Sequence, residues 1–172
     1  MKLCILFPGI GYHCDKPLLY YTAMLAASKD YKVIKLQFSG FESADNAADH
    51  AYEQSEKQLS EINFHEYDKI VFVGKSIGTV ACQRYRHEHE INALSILLTP
   101  LTETFKFPAH DCAAFHGTSD PLADTGAIVK LCNEKKVILH TYNNANHSLE
   151  VREAFTDLNT LSDVLTKINK LL

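Results

Sequence analysis

The sequence predicts an α/β protein: a three-layer α/β/α sandwich around a mostly parallel sheet of about six strands. Two observations carry that expectation. Strand-like apolar runs alternate with helix-like stretches along the chain, the pattern of a sheet wrapped by helices. Most of the runs are apolar at nearly every position, as strands covered on both faces are. The strands are expected at 2–7, 32–38, 69–74, 93–99, 112–115 and 137–142, and the helices at 17–28, 44–62, 77–89, 125–135 and 149–171. The first strand is the run that ends at Pro8. The last helix carries Leu158, Leu161, Val164, Leu165, Ile168 and Leu172, a stripe at helical spacing that packs on the sheet. Only 100–111 breaks the alternation: a loop or a single turn stands where a helix is due.

At 172 residues the chain is expected to form one domain, 1–172, with no room for a lid domain. A composition 46% hydrophobic and 22% charged is that of a globular protein, and a net charge of −4 points to neither nucleic acid nor an anionic membrane. The apolar run before Pro8 is too short for a signal-peptide core or a membrane span. Five cysteines, with no C-x-x-C pair, are expected to be reduced thiols, in keeping with a cytoplasmic location. Cys4 and Cys112 fall in strand-like runs and read as core residues. Cys14 falls in a loop, which makes it the one thiol to watch.

The densest chemical signal is Gly74-Lys75-Ser76-Ile77-Gly78, between the apolar run 69–73 and a helix-like stretch. Strand, G-x-S-x-G, helix is the context of a nucleophile elbow. A serine raised on so sharp a turn sits in strained backbone, and its neighbours must be small. The helix that follows offers free N–H groups at its start, which can steady an oxyanion. A serine nucleophile also needs a base and a group to orient that base. Loops at the carboxyl ends of strands supply two candidates, Asp120 in His116-Gly117-Thr118-Ser119-Asp120-Pro121 and His147 in Asn146-His147-Ser148-Leu149. Taken singly, Asp120 also suits a turn or helix cap, and His147 a solvated loop.

The order Ser76, Asp120, His147, each after a separate strand, resembles that of the α/β-hydrolase superfamily, and the resemblance spans nearly the whole chain. It is nearest to the short, lidless members, the dienelactone-hydrolase-like and small serine-hydrolase families. The resemblance implies a minimal α/β-hydrolase fold and a catalytic Ser76–His147–Asp120 triad. It also implies an oxyanion hole from the backbone N–H groups of Ile77 and Ile10, with Gly11 one residue away. Gly9, Gly11, Tyr12 and Lys75 are candidate substrate contacts. Glu103 is the rival acid, because some relatives place it after the preceding strand. The chain departs from the family in having six strands where eight are typical, and Pro8-Gly9-Ile10-Gly11 in place of His-Gly-Gly. Lys75 stands where many relatives have histidine or an aromatic residue, and is expected to snorkel into solvent.

The expected activity is hydrolysis of a small ester, carboxylic or thio, through an acyl-serine, with no metal and no organic cofactor. The expected partner is the small-molecule substrate alone, and no oligomeric state is implied. A hydrolase-fold module that binds a protein or metabolite without turnover is the alternative. His87-Glu88-His89-Glu90 reads as a solvated helix end, since adjacent helical residues face different directions.

Overall fold

A computed structural model of the chain describes residues 1–41 and 46–172. Six strands, β1 (Lys2–Phe7), β2 (Tyr31–Lys35), β3 (Lys69–Lys75), β4 (Leu94–Leu98), β5 (Cys112–Gly117) and β6 (Ile138–Tyr142), form one sheet in the order β2-β1-β3-β4-β5-β6. Every neighbouring pair is parallel. The helices α1 (Pro17–Ser28), α2 (Ala47–Leu59), α3 (Ile77–Glu88), α4 (Thr125–Lys135) and α5 (Ala154–Leu171) cover it. The expected α/β/α sandwich is therefore the observed fold.

Alternation along each strand divides the core in two. On one face Leu3, Ile5, Phe7, Phe72 and Ala114 pack against α2, α3 and α4. On the other, Cys4, Leu6, Val71, Val73, Ile96 and Phe115 meet α1 and α5. The central strands are buried along nearly their full length, whereas the edge strands β2 and β6 are half-exposed, which corrects the expectation of cover on both faces for those two.

Several boundaries moved: the second strand, expected over 32–38, is Tyr31–Lys35. The second helix, expected over 44–62, is observed over Ala47–Leu59; positions 44 and 45 lie outside the described residues. The last helix, expected from 149, starts at Ala154, with the Glu153 carboxylate capping the N–H groups of Phe155 and Thr156. Residues 149–153 belong to the preceding loop, and Leu149 and Arg152 have left-handed backbone (φ 60° and 64°). Where the alternation failed, the chain makes one short 3₁₀ turn, Thr102–Lys106. Among the described residues no helix is long and apolar enough to cross a membrane.

From β1 the chain moves outward to β2, then returns across β1 to β3 and continues the other way. The switch point thus lies between the carboxyl ends of β1 and β3, where a parallel sheet opens a crevice for ligands. Ser76 follows β3 and the Pro8–Tyr12 loop follows β1, so the topology brings both to that crevice.

Candidate active site

Ser76 links β3 directly to α3, and the sharpness of the turn is written in its backbone, φ 55° and ψ −122°. For a residue with a Cβ, such geometry costs on the order of 1–3 kcal/mol and persists only when its surroundings enforce it. Close packing does so. A Cβ on Gly78 would lie 2.1 Å from the Phe7 carbonyl oxygen, and one on Gly74 would lie 2.7 Å from that of Gly78. The first turn of α3 therefore presses on β1 with no side chain between them. Thr79 secures the turn: its hydroxyl donates to the Ser76 carbonyl (2.6 Å) and lies 2.6 Å from the hydroxyl of Thr104 in the 3₁₀ turn.

The other two candidates converge on Ser76. His147 Nε2 is 2.7 Å from Ser76 Oγ, and His147 Nδ1 is 2.6 Å from Asp120 Oδ2. Asp120 has no side-chain exposure and His147 has 18%. Burial acts to raise the Asp120 carboxyl pKa, but hydrogen bonds from His147 and the Leu122 N–H (2.9 Å) outweigh it and hold the group below the ordinary range. The acid is thus a carboxylate at neutral pH. Glu103 is exposed and bonds only its neighbour Thr102, which removes it as a rival.

Two loops are fastened together to make this arrangement. Ser119 N–H donates to Ala145 O (2.9 Å), and Asn144 N–H to Thr118 Oγ1 (2.9 Å). The Asn146 side chain accepts from the N–H groups of Ser148 (2.7 Å) and Glu150 (3.2 Å), closing the loop around His147. Neither Asn146 nor Thr79 and Thr104 stands out among the sequence-level candidates. Asn146-x-Ser148 is nonetheless an Asx-turn pattern, and that signal was available.

On the other side of Ser76 the Gly9 and Tyr12 backbones exchange two hydrogen bonds (3.0 and 3.2 Å), making a tight turn with Ile10 and Gly11 at its tip. Among the described residues neither the Ile10 nor the Ile77 N–H has a hydrogen-bond partner. A cleft of about 390 Å³ opens beside this turn, lined by Pro8, Gly9, His13, Lys35 and Phe38.

Two sequence-level expectations fail here. Lys75 is not a snorkelling surface residue. It is only 1% exposed, packed under the turn with Nζ 4.8 Å from the centre of the Tyr12 ring. Cys14 is not placed for chemistry either. It is buried and donates to Leu36 O (3.5 Å), and burial pushes its thiol up to about 12, so no thiolate forms near neutral pH. His116 packs at the end of β5, with Nε2 2.9 Å from Thr125 Oγ1, and burial lowers its pKa. In the His87–Glu90 stretch, Glu88 pairs with Arg84 (2.7 Å), and His89 stacks on Tyr85 and contacts Glu56.

No family model matches the sequence, and no curated protein matches it. Solved structures do match in fold. A serine hydrolase homologue from Coxiella burnetii is 15% identical, with all of this chain and 85% of that one aligned at a TM-score of 0.70. A serine hydrolase without a lid from Xanthomonas campestris is 13% identical over 96% of this chain and 81% of its own, at 0.62. An esterase from Pyrococcus furiosus is 12% identical over 99% and 82%, at 0.72. The chain has the fold of the α/β-hydrolases.

Proposed function

We propose that the protein is a serine hydrolase that cleaves small esters or thioesters through an acyl-serine intermediate. The observation that carries this reading is the unbroken chain of hydrogen bonds from Asp120 through His147 to Ser76, raised at the switch point of the sheet. The structural neighbours described as a serine hydrolase homologue and an esterase support the same class of chemistry.

In this mechanism Ser76 Oγ attacks the carbonyl carbon while His147 Nε2 takes the hydroxyl proton. Asp120 keeps Nδ1 protonated and stabilises the imidazolium that results. The carbonyl oxygen becomes an oxyanion, met by the N–H groups of Ile77 and Ile10; one such donor is typically worth ~10²–10³ in rate. Collapse of the tetrahedral intermediate breaks the bond to the alcohol or thiol, which takes the proton from His147. Water, deprotonated by His147, then attacks the acyl-serine; the second tetrahedral intermediate breaks its bond to Ser76 Oγ, which takes the proton back from His147, and the acid leaves. In this scheme His147 serves every proton transfer.

The cleft beside the Gly9–Tyr12 turn is lined by none of Ser76, Asp120 and His147, so its size does not measure the acyl site. Between β4 and β5 the chain makes only a short 3₁₀ turn, which leaves little there to enclose a long acyl chain and favours a short, soluble substrate. A panel of p-nitrophenyl and thiocholine esters from acetyl to dodecanoyl tests the reading. Turnover should be greatest for the shortest acyl groups and vanish in Ser76→Ala. Equal turnover by Ser76→Ala, or a preference for dodecanoyl esters, would contradict it.

A further inference from the structure

Lys75 ends β3 one residue before the nucleophile, on the sheet face that also carries Val71, Val73, Leu98 and Phe115. Removing an ammonium from water is costly unless acceptors replace the lost hydration. Here, among the described residues, Nζ has no hydrogen-bond acceptor and no carboxylate within ion-pair distance. Its nearest charge-compatible surface is the Tyr12 ring, 4.8 Å away. Tyr12 is itself buried, and its hydroxyl accepts from the Leu18 N–H (3.1 Å) at the start of α1. The Tyr12 backbone is doubly bonded to Gly9, and a Cβ built on Gly9 would stand 3.2 Å from Ser76 Cβ and 3.1 Å from the Lys75 carbonyl oxygen. Ring, turn and elbow therefore form one packed unit with the ammonium at its centre. Two further charged groups face Lys75: Asp120 from the loop after β5 and Glu150 from the loop before α5. Burial lowers the Lys75 pKa to about 7, with Asp120 and Glu150 opposing the fall.

We propose that Lys75 is a positioning residue: its buried ammonium, held on the face of Tyr12, fixes the Gly9–Tyr12 turn against the nucleophile elbow, and loss of its proton releases that turn. The effect on rate rests on the serine-hydrolase reading; the coupling between Lys75 and the turn does not. A hydrophobic residue would fill the same space without the desolvation cost, so this charge works against stability. The sign follows from linkage. Unfolded Lys75 holds its proton up to about 10.5 and folded Lys75 only to about 7, so stability rises with pH between those values. The full penalty applies below the lower one.

The experiment has two arms. In the first, amide shifts of Gly9, Ile10, Gly11 and Tyr12 are followed by NMR against pH, alongside the ε-¹³C signal of Lys75. The four amides should titrate with the Lys75 midpoint and stay flat in Lys75→Met. Amides that do not move in the wild type, or move equally in Lys75→Met, overturn the proposal. Should Lys75→Met fail to fold, Tyr12→Leu serves instead, and should lower the Lys75 midpoint further; an unchanged midpoint counts against the coupling.

In the second arm, the rate of fluorophosphonate labelling is measured from pH 5.5 to 9. Lys75→Met should react about tenfold more slowly at pH 6, a fraction of the cost of a lost oxyanion donor. Its Tm at that pH should rise by about 4 °C, a gain that shrinks as pH increases. Lys75→Arg, which keeps its charge, should restore the rate. A variant that loses Tm and labels normally marks Lys75 as merely structural. Labelling absent from the wild type at every pH would sink the hydrolase reading instead, and the amide titration would still decide the coupling.

Discussion

The two ends of the sheet handle awkward backbone and buried charge differently. At the amino end, left-handed residues stand where helices hand over to strands: Asp30 after α1, Glu90 after α3 and Lys136 after α4. Each repays its strain by satisfying the last carbonyls of its helix, as in Asp30 N–H to Ala27 O (3.1 Å) and Lys136 N–H to Asn133 O (3.2 Å). The buried cation near that end, Arg86, donates through Nη1 to His110 O at 2.7 Å and to Ser95 Oγ at 3.4 Å, while its Nη2 has no partner among the described residues. At the carboxyl end, Ser76 and Thr99 are left-handed directly after strands, where no helix ends. The buried cation there, Lys75, has an aromatic face and, among the described residues, no acceptor. Strain at the amino end is part of what holds the fold together. At the carboxyl end it is stability given up to hold Ser76 against His147.

Substitutions at the two ends should therefore fail in different ways. The largest effect belongs to Asp120→Asn, which keeps the shape and removes the charge that fixes the His147 tautomer. Esterase turnover should fall by ~10⁴, the scale seen when a triad acid is made an amide, while the melting temperature changes little. A loss under tenfold would break the contrast, because Asp120 would then be a turn residue. Next comes Gly78→Ala. A methyl placed 2.1 Å from the Phe7 carbonyl cannot be absorbed by a side-chain shift, since the obstacle is backbone. Destabilisation of at least about 4 kcal/mol is expected by chemical denaturation. The smallest effect is at the amino end. Lys136→Gly should relieve a left-handed lysine and raise stability by about 1 kcal/mol, with turnover unchanged. A loss of activity there would show that the two ends are not independent.

What could be read from the sequence divides along the same line. The elbow was legible because its logic is local: a strand, two small residues around a serine, and a helix lie within a dozen positions. Asp120 and His147 were legible only through their order along the chain, and Asp120 was preferred over Glu103 because its loop, His116-Gly117-Thr118-Ser119-Asp120, matches the family's His-Gly-x-x-Asp pattern. The apolar stripe of α5 begins only at Leu158, so the spacing does not fix where the helix starts. Asn146 instead locks residues 146–150 into a turn, with left-handed backbone at Leu149. Lys75 was the largest miss. A long cationic side chain ordinarily reaches water, and nothing near position 75 announces the ring of Tyr12, which arrives from the loop after β1.

The account stands or falls on whether Ser76 is an activated nucleophile. Labelling of the intact protein with a fluorophosphonate, read by mass spectrometry, tests that without knowledge of the substrate. The arrangement of Ser76, His147 and Asp120 predicts one adduct per chain, on Ser76, absent in both Ser76→Ala and His147→Ala. A folded protein that stays unlabelled while a serine esterase reacts beside it, or one labelled equally in His147→Ala, would contradict the account. The unlabelled result would favour a module that binds without turnover.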